Sequence, residues 1–333
     1  MPAIAWQGGA VSSAETDGPT GPGDDGPVLT LVLLGVGVLG VSLAAPIGAA
    51  TAAAGLAVAF WRTAMASAAG VPWTFARPRP RAEVTGVAGR KALRHSVTAG
   101  LWLALHFALW MPSLRLTSVA AATALVCTTP VWTLAWGRLT GRAVPRPVLV
   151  GVALALTGVV VITGVDASGD RDALLGDAMA LAGGMAAAGY VLEGDRAREH
   201  VSTATYTAVA YPVCAVVLLV VCLFTGTELG GYAARTWVEL VVLTLAAQLL
   251  GHSVLNRTLR TAGATTVSLA ILLEVPGAAL VAWLWLGQTP PVAVLPGAAL
   301  VMAGLAVVVL AGARARQRAA SRPAAVPSRR TAQ

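Results

Sequence analysis

GVALALTG at Gly151–Gly158 and GAALVMAG at Gly297–Gly304 agree at four of eight positions and stand 146 residues apart. Leu114-Arg115 and Leu259-Arg260 stand 145 apart, and Gly141 and Gly287 again 146. Several collinear marks at one offset imply a chain built of two like halves. Both copies of the octet lie within apolar runs. The relative direction of the halves therefore depends on how many membrane crossings each contains.

That the runs are crossings follows from composition. Hydrophobic residues make up 56% of the 333 and charged residues 11%, with a mean hydropathy of +0.74. A water-facing surface needs about 25% charged residues. The net charge of +8 would suit nucleic acid, but the arginines fall in short segments between apolar runs, where membrane topology places them. Nucleic-acid binding is not expected. Cys127, Cys214 and Cys222 are odd in number, sit inside apolar segments, and show no metal-ligand spacing, so they read as small buried hydrophobes. No metal or other cofactor is expected.

A bilayer crossing takes about 20 mostly apolar residues. That length predicts ten helices, over 28–47, 50–70, 96–114, 118–138, 147–164, 177–193, 202–225, 236–256, 265–286 and 291–311. The Lys/Arg distribution orients them. With both termini cytoplasmic, 19 of 23 basic residues face inward and three (Arg115, Arg171, Arg235) outward, while Arg62 lies within the membrane. Five crossings per half is an odd number, so the halves run in opposite directions. Inverted repeats of this kind are the pattern of secondary transporters. The expected organisation is an acidic disordered tail (1–27), a first repeat (28–164), an outer linker (165–176), a second repeat (177–311) and a basic disordered tail (312–333).

Polar residues inside the apolar helices are the candidate site. Glu274 lies within the ninth helix, where a carboxylate needs a partner, a proton or a water-filled cavity. Gln248, His252 and Asn256 share one face of the eighth helix at i, i+4, i+8. Trp102, His106 and Trp110 share a face of the third, at the same offset of 146. Such faces also serve as helix-packing glue. Arg62 could pair with Glu274, snorkel, or hold an anionic group. Thr128 and Thr129 precede Pro130 at a potential kink in the fourth helix, followed by Trp132 and Trp136. Tyr190 and Tyr211 are weaker candidates, equally suited to packing.

AFWRTAMA, with Arg62, resembles the second helix of the EamA-type family of the drug/metabolite transporter superfamily. ALHFALWMPSLRLTSVAAATALVCTTPVWTLAWGRL resembles its third and fourth helices, GDAMALAGGMAAAGYVLEGDR its sixth, and LGHSVLNRTLRTAGATTVSLAILLEVPGAALVAWLWLGQ its eighth and ninth. The resemblance extends over residues 28–311. It implies ten helices in two inverted repeats around a central cavity. It brings Arg62, His106, Thr128, Thr129, Tyr190, His252 and Glu274 to the matching segments. Two departures stand out: Arg142 and Gln288 follow Gly141 and Gly287 where the family's pattern has Glu, and its Glu-Pro reads Glu274-Val275-Pro276.

The function these features imply is secondary active transport, exporting a small metabolite, amino acid or drug-like compound from a bacterial plasma membrane. No GxxxxGKS phosphate loop is present, so coupling would come from a gradient, with Glu274, His106 and His252 as candidate proton carriers. The expected partners are a small-molecule substrate and the lipid bilayer. A phosphate-bearing cargo is disfavoured, because Arg62 is the one Arg or Lys within the helices and such a group wants converging cations. The alternatives are an importer or exchanger, or an intramembrane lipid-modifying enzyme. The enzyme is disfavoured because Asp166, Asp170, Asp172 and Asp177 read as a solvated loop rather than a reaction centre.

Overall fold

A computed structural model describes residues 27–141, 144–166, 170–251, 254 and 270–320. Among these residues the chain is helical and without strands: α1 (Pro27–Ser42), α2 (Ala44–Ala50), α3 (Gly55–Phe75), α4 (Pro78–Glu83), α5 (Gly86–Ser113), α6 (Val119–Val126), α7 (Thr129–Leu139), α8 (Arg146–Asp166), α9 (Arg171–Arg198), α10 (Thr203–Phe224), α11 (Ala234–Leu243), a π-helical turn at Thr244–Gly251, α12 (Glu274–Leu286) and α13 (Val294–Ala320).

Among the described residues, five stretches are long and apolar enough to cross a membrane: Val28–Ala50, Val119–Leu139, Arg171–Arg198, Thr203–Phe224 and Val294–Arg314. Two shorter apolar helices, Arg146–Ile162 and Ala270–Leu286, accompany them. Other expected spans are more polar. α3 carries Arg62, Thr63 and Ser67, and α5 opens with Arg90, Lys91 and Arg94. The chain is a multi-pass membrane protein.

Boundaries differ from the sequence expectation where a cap or a break intervenes. The second helix begins at Gly55 rather than 50, because α2 occupies Ala44–Ala50. α9 begins at Arg171, inside the expected linker: the Asp170 side chain accepts from Asp172 N at 2.9 Å and caps it. Asp177 is consequently helical and 0% exposed, not part of a solvated loop. α13 runs to Ala320, nine residues past the expected end at 311. The short α4 was not expected from hydropathy, since its PRPRAE is polar.

Two helices are interrupted. α6 stops at Val126 and α7 starts at Thr129; Thr128 Oγ1 donates to Leu125 O at 2.6 Å and Thr129 Oγ1 to Val126 O at 2.9 Å, ahead of Pro130. Pro130 has no backbone N–H, so a regular ladder cannot run through it. The second break falls at Leu273, immediately before α12 and ahead of Pro276. Pro130 and Pro276 are 146 residues apart.

α5 packs against α9 and α10, α3 against α10, α6 against α9 and α12, and α1 against the π turn and α12. A close seam joins α8 to α13, and it is made of the octets. A methyl placed on Gly151 would lie 2.6 Å from Gly304 O, and one on Gly304 2.5 Å from Gly151 O. On Gly158 it would lie 2.5 Å from Gly297 O, and on Gly297 2.9 Å from Gly158 O. Only glycine admits this approach of two helix backbones.

Candidate functional site

A cavity of about 600 Å³ lies among the helices. Its wall is drawn from both sides of the chain's midpoint: Arg62 of α3; Leu103, His106, Phe107 and Trp110 of α5; Cys127, Thr129 and Pro130 at the first break; Tyr190, Gly194 and Arg198 of α9; Thr203, Tyr206, Thr207 and Tyr211 of α10; and Leu272 and Glu274 at the second break. Residues that the sequence separates by more than 200 positions thus share one chamber.

The breaks put polar groups at depth. Glu274 is the first residue of α12, where unsatisfied N–H groups and the helix dipole favour a carboxylate. Arg62 and Glu274 line the same chamber and act on each other electrostatically. Arg62 is only 2% exposed, and its guanidinium carbon sits 4.3 Å from the centre of the Phe107 ring, a cation–π contact. Arg62 is thus held inside the wall, whereas Glu274 is half-buried.

His106 Nδ1 lies 2.9 Å from Gly183 O. A carbonyl only accepts, so Nδ1 carries the hydrogen and Nε2 is the atom at which a proton can be taken up. The ring stacks on Trp110, with centroids 5.4 Å apart at 24°, and Phe107 is 4.7 Å away. Thr129 Oγ1 approaches Gly184 O at 3.2 Å and ties the first break to α9.

Of the residues singled out from sequence, Arg62, His106, Trp110, Thr129, Tyr190, Tyr211 and Glu274 meet in the cavity wall. Trp102 does not. It is 39% exposed and lies on Gly189, where a methyl would come within 2.5 Å of its ring. Each i+4 step on an α-helix drifts about 40° around the axis, so the lining stripe of α5 alternates threes and fours through Leu103, His106, Phe107 and Trp110. Thr128 is 0% exposed and accepts from Trp132 Nε1 at 3.0 Å, which keeps both out of the wall. The side chain of Gln248, with His252 and Asn256, lies outside the described residues. Ala247 on that segment does line the cavity.

Sequence reasoning missed Phe107, Arg198, Thr203, Tyr206 and Thr207. The spacing that marks them is legible in hindsight: Tyr190, Gly194 and Arg198 recur every fourth residue, and Thr203, Tyr206, Thr207 and Tyr211 follow the 3–4 alternation of one helix face. The lining reaches the end of the bundle where α9 stops and α10 starts. Four hydrogen bonds draw the opposite end together. Trp61 Nε1 donates to Leu229 O at 2.9 Å, Arg115 donates to Thr51 O and Ala53 O, and Val119 N donates to Gln288 Oε1 at 3.3 Å.

Residues 174–310 match the EamA-like transporter family. That stretch is EamA-like. It spans α9 to most of α13 and so contains the second break, Glu274 and the polar faces of α9 and α10. A solved crystal structure superposes on 87% of this chain and 100% of its own with a TM-score of 0.56 at 17% sequence identity, a likeness of fold. No curated protein matches the chain.

Proposed function

We propose that this EamA-like protein is a secondary active transporter that exports a small amphipathic compound by alternating access, from a bacterial plasma membrane with both termini in the cytoplasm. The observation that carries the reading is the largely apolar cavity, set with a few polar and charged groups, that residues of 28–164 and of 177–311 bound together. The proposed architecture is ten spans in two inverted five-helix halves. The reciprocal glycine seam and the two breaks before Pro130 and Pro276, each at an offset of 146, support it. So does the exchange pattern of the packing. α3 meets α10 and α6 meets α12, while α5 on α9 has its counterpart in the π turn on α1.

In this reading Glu274 takes up and releases the coupling proton, with His106 Nε2 and His252 as exchange partners. Arg62 is the fixed cation of the same wall and acts on Glu274 electrostatically. A channel through hydrocarbon needs no covalent chemistry from these groups, which separates the reading from a lipid-modifying enzyme. The test is flux in proteoliposomes under an imposed pH gradient, comparing wild type with Glu274→Gln. The expected outcome is cargo exchange that persists in the variant but no longer accelerates with the gradient. Gradient-driven flux that is unchanged in Glu274→Gln removes the residue from coupling. Flux toward the inner face would make the protein an importer.

A further inference from the structure

The cavity holds a second arginine that no helix-by-helix reading of charge anticipates. Arg198 closes α9, yet it lines the same chamber as Arg62. Its Nε donates to Gly194 O at 3.2 Å and its Nη2 to Asp195 Oδ1. Those bonds use two of the guanidinium's five N–H groups, and the Asp195 partner is an exposed i,i+3 pair of the weak surface kind.

Tyr206 sits beside it. It is 4% exposed, it lines the cavity, and its hydroxyl is in hydrogen-bond reach of the Tyr190 hydroxyl. The hydroxyl rests over Gly194, where a methyl would come within 2.7 Å of it. The missing side chain of Gly194 thus makes room for this phenol, one turn from both Tyr190 and Arg198. The Tyr190 and Tyr206 rings are 5.9 Å apart, and both interact electrostatically with Arg198. A phenol hydroxyl both donates and accepts, so the tyrosine pair can still offer a donor to a ligand acceptor beside the unused N–H groups of Arg198.

We propose that the Arg198–Tyr206 end of the cavity is an anion-recognising subsite, which holds the carboxylate or phosphate of the cargo while its apolar body lies along the His106–Phe107–Trp110 wall. The inference rests on reading the cavity as a cargo site. Nearby carboxylates are already engaged. Glu83 accepts from Ser202 N, Ser202 Oγ and Thr205 Oγ1 at 2.9, 2.8 and 2.6 Å, and Glu193 is held by His95 and Arg196. Glu274, at the other pole, repels an anion and so fixes which end of the cargo points inward.

The experiment is thermal unfolding of the full chain in nanodiscs, titrated with phenylacetate, phenyl phosphate, phenylacetamide and phenethylamine, which share one ring and differ in head group. Stabilisation by phenylacetate or phenyl phosphate, at least tenfold tighter than by phenylacetamide or phenethylamine, is expected. The ratio between the two acids tells which anion the site prefers. Arg198→Gln and Tyr206→Phe should each weaken acid binding about tenfold. Tyr206→Phe keeps the buried ring and its packing on Tyr190, so the variant should fold and its loss should read on acid binding. Preference for the amine, equal response to all four compounds, no response to any, or acid binding unchanged in both variants overturns the subsite. Acid binding without flux in liposomes would instead count against transport and leave the subsite standing.

Discussion

Arg62 shows how one residue can be readable by type and opaque by role. A lone arginine in AFWRTAMA had to be compensated, and sequence offered Glu274, a snorkelling path or an anionic ligand. The structure adds Phe107, which was indistinguishable from any other apolar residue in ALHFALW because its task depends on a neighbour 45 positions away. Replacing Phe107 by Leu keeps the apolar volume and removes the ring face. We expect a loss of about 0.5–2 kcal/mol, read as a lower midpoint in denaturant unfolding, with Phe107→Tyr close to wild type. Glu274 was legible for the opposite reason: a carboxylate in ILLEVPGAAL is costly wherever the chain places it. His106 was legible as a polar residue, but its tautomer was not, since that depends on Gly183 O across the bundle.

At the scale of elements, the octet echo turned out to mark packing rather than chemistry. Its glycines are the contact surface of α8 on α13, and the cavity-facing residues of those helices are few. Gly158→Ala should destabilise by about 1–3 kcal/mol, because the new methyl meets Gly297 O and Val301. Gly35→Ala on α1, with nothing within 4 Å of its added methyl, should be neutral or slightly stabilising through helix propensity. Comparable losses at both glycines would contradict the seam. Element boundaries were the least legible part. Hydropathy alone does not register a capping Asp170, the hydroxyls of Thr128 and Thr129 that close α6, or a polar six-residue helix such as α4. The Pro130 and Pro276 breaks were visible as prolines, whereas their equivalence emerges only when the helix ends are known.

At the scale of the molecule, the chamber's lining runs to the Arg198 end, while Trp61, Arg115 and Gln288 tie the other end. Cys127 is a native reporter of this asymmetry: it lines the cavity, while Cys214 and Cys222 are 0% exposed. A membrane-impermeant maleimide should label Cys127 in inverted vesicles and leave it unlabelled in right-side-out ones, as counted by mass spectrometry. Labelling only from the right-side-out face would reverse the topology argued from the arginines. A central cavity is what the proposed inverted arrangement leads one to expect, whereas the charged residue at its end is not. Arg198 reads in a charge count as a topology signal, and nothing there distinguishes an arginine that only faces headgroups from an exposed one that also lines a chamber.

The glycine seam also limits how such a molecule can move. Where two helix backbones touch without side chains between them, each carbonyl rests in the notch above the opposite glycine. A shift along the axis by one residue, about 1.5 Å, would drive that oxygen into a neighbour's side chain. Turning about the point of contact meets no such obstacle. In the proposed transport cycle the crossing of α8 and α13 would therefore serve as a fulcrum, on which the proposed halves rock rather than slide, with displacement growing with distance from it.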